Sequence, residues 1–273
     1  MLEIERKLLD LRKQQKDIGV TTISFNRLPI FQPTLKAKYK EWVFEDQHKK
    51  VSVRGRLGQN HKSLLEAILY LRKLYDFDKE NMRLRVLYSE HEVRKYLTQY
   101  SKYSHEWYIK LMEDMMHTSI LVQKDKMSKA RAGTLIEDKR PSNNYKCKSK
   151  SNLPAMKGAE VPYAIIEFGE AVSYLFSEEF KFTYDPRPIL ALKHGISQAL
   201  VRYIKTFTRH PPAGYHLRTL LENLLQEELE NKRWWKIREY LKEDAEMLAS
   251  ESIGIVIDFK KDRVFVVNKK FIL

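Results

Sequence analysis

Apolar positions along the chain change their period several times, and each change marks an element. Over residues 3–18, Ile4, Leu8 and Leu11 fall at helical spacing among charges, and Gly19 ends the run; this predicts a short amphipathic helix. "TTISFNRLPIFQP" and "YKEWVFEDQHKKVSVRGRLGQ" hold β-branched and aromatic residues, with Pro29 and Pro33 as punctuation, and predict extended chain. "NHKSLLEAILYLRKLYDFD" reads as a helix, with Asn60 as N-cap and Leu64, Leu65, Ile68, Leu71 and Leu74 as its apolar face. "MRLRVLY" alternates like a half-buried strand. Ser89 then caps "EHEVRKYLTQY", and a short break at Ser101–Ser104 follows. The next helix places Tyr108, Leu111, Met112 and Met115 on one flank, with Trp107 at its edge. "SILVQ" resumes strand character, and "VPYAIIEF" is its expected hairpin partner.

The same order then recurs. "KHGISQALVRYIKTFTRH" predicts a helix stopped by Pro211–Pro212, and "HLRTLLENLL" a second. In "NKRWWKIREYLKEDAEMLAS", Trp234, Ile237, Leu241, Ala245 and Leu248 make one stripe of a third. "IGIVIDFKKDRVFVVN" predicts two strands joined around Lys260–Lys261–Asp262. Helix, strand, helix, turn, helix and strand is the chain order of a winged helix-turn-helix, whose third helix enters a major groove. The expected fold is therefore α+β, mainly helical, with two tandem winged helix-turn-helix domains carrying β-hairpin wings. The expected boundaries are an N-terminal helix over 1–19, a first domain over 20–183 and a second over 184–273, joined near "TYDPRP".

Charge sharpens this picture. The 273 residues carry 50 Lys and Arg against 36 Asp and Glu, a formal net charge of +14 that favours polyanionic partners. The Lys-, Ser- and Asn-rich insertion at about 124–158 holds +7, half of that excess. It is expected to be a solvated, mobile cationic arm lying along phosphates. Cys147 is the only cysteine, so one chain can form neither an internal disulfide nor a cysteine-based zinc site. The first residues are too charged for a secretory leader, and no apolar run reaches the ~20 residues of a membrane span. A protein of the cytoplasm, with no membrane partner, is expected.

Once the apolar stripes are assigned to core, each third helix keeps a polar, cationic front. In the first domain this is Lys102, Tyr103, Ser104, His105 and Lys110; in the second it is Asn231, Lys232, Arg233, Lys236 and Arg238, with Lys260 and Lys261 at the wing tip. Arg can pair with guanine and Asn with adenine in bidentate fashion, while hydroxyls and a helix N-terminus suit phosphates. A solvated face would explain either helix alone; the repetition and the net charge favour double-stranded DNA.

Signals for catalysis are missing. The eight histidines form no His-x-His and no His-Glu-x-x-His pattern. "GRLGQNHKS" has His61 where a phosphate loop requires Gly. Glu178–Glu179 and Glu227–Glu228 are adjacent and diverge on a helix, so they form no dyad. A non-enzymatic protein without metal or cofactor is expected.

"VSVRGRLGQNHKSLLEAILYL", "YSKYSHEWYIKLMEDMMHTSI" and "YIKTFTRHPPAGYHLRTLLENLL", followed by the Trp234–Leu248 stripe and the terminal hairpin, resemble the TrfA-type plasmid replication initiators. These are iteron-binding Rep proteins with tandem winged helices. The resemblance runs from about residue 25 onward, and the insertion at 124–158 is long for the pattern. It implies binding to direct repeats at a plasmid origin, local melting, and recruitment of the host replication initiator and replicative helicase. It also implies a homodimer as the replication-inactive form. By position it implies readers within Lys102–Lys110 and Asn231–Arg238. Two other classes compete: a winged-helix repressor binding an operator as a dimer, and a rolling-circle nicking enzyme with a tyrosine nucleophile.

Overall fold

A computed structural model describes residues 21–45, 50–98, 104–123, 129–148, 160–178 and 181–267. The helix expected over 1–19 lies outside these. The described chain opens with β1 (Thr21–Thr22) and α1 (Ile23–Arg27), so "ISFNR" is helical where extended chain was expected. The Phe25 amide donates to Thr22 Oγ1 (3.3 Å), a side-chain cap that starts the turn. β2 (Lys40–Glu45) and β3 (Lys50–Gly55) follow as the extended pair the sequence predicts, with Val51 and Val53 turned into the core.

α2 (Gln59–Tyr70) begins one residue before its expected cap. Asn60 instead lies inside the helix and donates Nδ2–H to the Leu35 carbonyl (2.9 Å). The cap is made by His61, whose Nδ1 accepts from the Gly58 amide (3.0 Å), leaving Nε2 to face Asp114 at 3.3 Å. The helix also ends early. The Lys73 amide donates to the Leu87 carbonyl (2.8 Å), so the chain has already joined a sheet, and Leu74 belongs to β4 (Leu74–Asp78) rather than to the helix face. β4 pairs with β5 (Arg83–Tyr88), where Asp76 lies opposite Arg85.

Ser89 caps α3 (Glu90–Thr98) as expected, and Ser104 caps α4 (His105–Met116). β6 (Ser119–Gln123) comes next, then β7 (Arg131–Thr134), β8 (Ile136–Lys148) and β9 (Glu160–Phe168). Two expectations fail here. β6 does not pair with β9: it lies between β3 and β7, in a sheet ordered β2-β3-β6-β7. Nor is the insertion a loop over 131–148, because β7 and β8 are both strands; residues 124–128 and 149–159 lie outside the described chain. β8 carries register shifts at Ile136/Asp138 and Pro141/Lys146, which erase the alternation that marks a strand in sequence. It is also a sheet edge, where Pro141 is tolerated.

α5 (Glu170–Glu178), β10 (Lys181–Phe182) and the short α6 (Arg187–Leu190) lead into the second half. There α7 (Gly195–Ile204), β11 (Tyr215–His216), α8 (Leu217–Leu225) and α9 (Asn231–Glu243) follow in turn. α10 (Ala245–Ala249) and the hairpin β12 (Ile255–Asp258) and β13 (Arg263–Val266) complete it. α7 stops well before Pro211, and Asp244 divides the expected last helix in two. Its carboxylate accepts from the Lys193 and His194 amides (2.9 and 3.1 Å), tying the end of α9 to the start of α7.

The architecture is a mixed α+β fold with three antiparallel sheets of three or four strands, plus the β1–β10 ladder, rather than a mainly helical one. Within it one connectivity occurs twice. With β4, β6 and β7 set aside, α2-β5-α3-α4-β8-β9 carries β5-β9-β8 of the four-stranded sheet β4-β5-β9-β8; with α10 set aside, α7-β11-α8-α9-β12-β13 carries a sheet ordered β11-β13-β12. Each half has its own apolar core. α6 bridges them, with Leu190 packed in the first and Ile189 in the second.

The halves meet where α2 lies against α7. Arg202 and Glu66 are each 1% exposed there. Arg202 Nε and Nη2 donate to the Glu66 carboxylate (2.8–3.0 Å), Nη1 to Gln59 Oε1 (2.8 Å) and Nη2 to Ser63 Oγ (3.1 Å). Tyr184 O–H donates to Glu66 Oε1 (2.7 Å). Burial opposes the Arg202 charge, but the Glu66 carboxylate more than offsets it and the guanidinium is held protonated. Gly195 sits beside this joint, and a Cβ there would lie 2.6 Å from Thr34 Cα, so only glycine allows the approach.

Lys62, one turn from Glu66, is also buried, and donates to the Phe25 carbonyl (2.5 Å) and to Asn26 Oδ1. Burial lowers its pKa to about 7; Glu66 pulls upward and Arg202 downward.

Two outcomes follow from the joint. Arg202→Met and Glu66→Gln should each lower unfolding stability by about 3–5 kcal/mol, since each strands a buried partner. The double variant should lose less than the sum in urea denaturation; strict additivity would mean the pair is not coupled. Lys62 binds its proton less tightly folded than unfolded, so its penalty is full below pH 7 and lifts as pH rises toward its unfolded value. Lys205, brought down to about 7 chiefly by burial, acts in the same direction. Stability should therefore rise by about 1–3 kcal/mol between pH 7 and 9, and Lys62→Met should flatten that rise.

Candidate nucleic-acid interface

α9 and the hairpin after it carry most of the residues singled out from sequence. Trp234, Ile237, Leu241 and, in α10, Leu248 are buried as expected, and Ala245 is half-buried. The opposite side exposes Asn231, Lys232, Arg233 and Lys236. Arg233 forms an ion pair with Glu227 (2.5 Å), and both groups remain about half exposed, so water screens the contact and the pair can be exchanged. Lys236 sits 5.8 Å from the Tyr240 ring centre. Lys260 and Lys261 are exposed at the β12–β13 turn, where their amides donate to Asp258 Oδ1 (3.0 Å each) and Asp262 takes a left-handed backbone at φ 54°.

Arg238 departs from its expected role. Its side chain is only 15% exposed, Nη2 donates to the Phe259 carbonyl (2.6 Å), and the guanidinium lies within 6 Å of the Trp234, Trp235 and Phe259 rings. It pins the hairpin turn onto α9, with Nη1 3.8 Å from the Asp262 carboxylate. Trp235 stands beside it at 58% exposure, a large apolar surface on the cationic face.

Arg218 is a positioning residue that sequence reasoning passed over. Nε donates to Glu222 (3.0 Å), Nη2 donates to the Leu229 carbonyl, and the guanidinium lies 5.9 Å from the Trp234 ring. It thereby fixes the turn before α9. Its signal was the i,i+4 spacing of Arg218 and Glu222.

In the first half, Lys102 and Tyr103 lie outside the described residues. Ser104, His105 and Lys110 are exposed along the start of α4, although the Ser104 hydroxyl oxygen accepts the Trp107 amide (3.1 Å) and serves its own helix. Tyr108, Leu111, Met112 and Met115 are buried and Trp107 is half-buried, as expected. Tyr108 meets Tyr88 through their hydroxyls (2.7 Å), and burial pushes both phenols far above their ordinary pKa. The cations of β7 and β8 are less available than a free arm would make them. Arg131 pairs with Glu170, Lys139 pairs with Glu90 and lies over the Tyr108 ring, and Arg140 pairs with Asp138.

Among the described residues, no group of three or more His, Cys, Asp or Glu is placed to hold a metal ion, and no helix is long and apolar enough to cross a membrane. The chain has no significant match among protein-family models, curated proteins or solved structures.

Arg238→Ala should cost about 1–2 kcal/mol of stability through the lost bond and stacking, and should speed amide exchange around residues 259–262. A variant of unchanged stability with altered base preference would instead make Arg238 a reader.

Proposed function

We propose that this chain is a non-enzymatic, sequence-specific DNA-binding protein made of two winged helix-turn-helix modules, acting as a replication initiator on direct repeats. The observation that carries this reading is the doubled connectivity. In both halves two helices stand close in sequence before the last two strands, which pair with each other, and the second of these also pairs with an earlier strand, β5 or β11. On this reading α4 and α9 are the groove helices and β8–β9 and β12–β13 the wings. The exposed cations at the start of α9 and at the β12–β13 turn support it, as does the net charge of +14. Two non-identical modules in one chain suit an asymmetric site repeated head to tail better than a palindrome. Origin melting, partnership with the host initiator and replicative helicase, and a homodimeric inactive form rest on the resemblance to TrfA-type initiators.

Selection from a random duplex pool should recover a site longer than one helix-turn-helix half-site, and footprinting should show it repeated in phase. Arg233→Ala should lose about 1–3 kcal/mol of specific binding and relax preference at one position, while Lys260→Ala and Lys261→Ala should weaken all sequences alike and reduce the salt slope. Enrichment of a single palindrome would favour a dimeric repressor. A covalent protein–DNA adduct would favour a tyrosine nicking enzyme, and no enriched sequence at all would end the proposal.

A further inference from the structure

Between the two halves lies a cleft of about 710 Å³, of whose lining the DNA-binding reading uses only Arg233 and Lys236. One wall comes from the 25–44 segment, including β2; the other comes from the start of α7 and the inner side of α9. Six cationic side chains line it (Lys36, Lys40, Lys62, Lys193, Arg233 and Lys236) against a single carboxylate, Glu227. That carboxylate is already paired with Arg233. Among the described residues, Lys36, Lys40, Lys193 and Lys236 have no carboxylate partner.

The floor is built rather than incidental. Lys62 and the Thr21 hydroxyl (3.3 Å) both donate to Asn26 Oδ1, which orients that amide. Asn26 Nδ2 is left without a partner in a residue 8% exposed, at the cleft lining. It is an unpartnered donor in a side chain that lines the cleft. The walls also offer rings. Trp42 is held by its Nε1–H on the Pro29 carbonyl (2.6 Å) with Lys40 over its ring at 6.0 Å, and Tyr240 stacks on His194 at 4.3 Å.

Planar aromatic walls, a buried amide donor and several unpaired cations describe one ligand class: a heteroaromatic ring with acceptor edges, joined to a polyanion. The volume falls in the range for one such molecule, roughly 300–1,000 Å³. We propose that the inter-module cleft is a binding site for a free nucleoside phosphate, with its base between the Trp42 and Tyr240 walls near Asn26 Nδ2 and its phosphates among Lys36, Lys40, Lys193 and Lys236. This goes beyond the DNA-binding reading and does not depend on it.

Titration calorimetry on the full chain without DNA tests this, using each of the four ribonucleoside triphosphates, adenosine, tripolyphosphate and a 12-nucleotide single strand. At least one triphosphate should bind one per chain, and at least tenfold more tightly than either adenosine or tripolyphosphate. Lys40→Glu, an exposed position, and Asn26→Asp, at the floor, should each weaken it more than tenfold. Lys79→Glu, the same charge change at the exposed β4–β5 turn, should stay within twofold, with thermal melting confirming that each variant folds. The proposal is overturned if no triphosphate saturates, if tripolyphosphate binds as tightly, if Lys79→Glu matches Lys40→Glu, or if the single strand binds and the triphosphates do not. Because no duplex is present, failure here leaves the DNA reading standing, and failure of duplex selection leaves this one standing.

Discussion

The contact between Arg202 and Glu66 fixes how the two halves sit on each other. Buried ion pairs seldom add much net stability, because desolvating two charges offsets their attraction. What this pair supplies is register. A guanidinium fork that must meet Glu66, Gln59 and Ser63 together tolerates little sliding of α7 along α2, whereas an apolar patch would tolerate a range of offsets. Tyr184 and Lys205 close the network from the connecting segment and the end of α7. The cleft exists because this joint sets the spacing of its walls, and Gly195 packs against Thr34 within its lining.

What could be read from the sequence divides along the range of the forces involved. The flank of α4, the stripe of α9, the terminal hairpin and β5 follow from side-chain period over a dozen residues, and all were legible. The failures are places where a distant partner overrode the local pattern. "LYDFD" looks like the end of a helix until β5 takes its hydrogen bonds, with Asp76 opposite Arg85. The insertion looks like a loop because bulges break the alternation of β8, yet β9 pairs with it over most of its length. β9 itself was visible as a strand, but its partner was not. Pairing between distant segments, such as Leu84 with Phe168, leaves no periodic trace.

The candidate interface shows the same division at the level of single side chains. Arg233, Lys232 and Lys236 remain exposed, as an apolar stripe on the opposite side of a helix requires. Arg238 lies on the flank between the two faces, and spacing alone could not tell which neighbour would claim it. The Phe259 carbonyl and three rings did. The cleft was illegible for a stronger reason. Its cations come from four segments between Lys36 and Lys236, and only the joint between the halves brings them together.

The distribution of charge changes how the basic character of the chain should be understood. Counted along the sequence, the insertion held half of the excess and looked like the polyanion contact. In the fold, Arg131, Lys139 and Arg140 pair with Glu170, Glu90 and Asp138, while Lys36, Lys40, Lys193 and Lys236, which have no carboxylate partner among the described residues, line a concave space with apolar walls. Such a space concentrates field lines that a flat exposed surface would lose to solvent. α9 borders this region with Arg233 and Lys236 while presenting Asn231 and Lys232 beside them. A duplex docked along α9 would therefore meet a phosphate-attracting recess at its edge. An anion already seated in the recess would weaken that attraction, so one helix would carry both binding events.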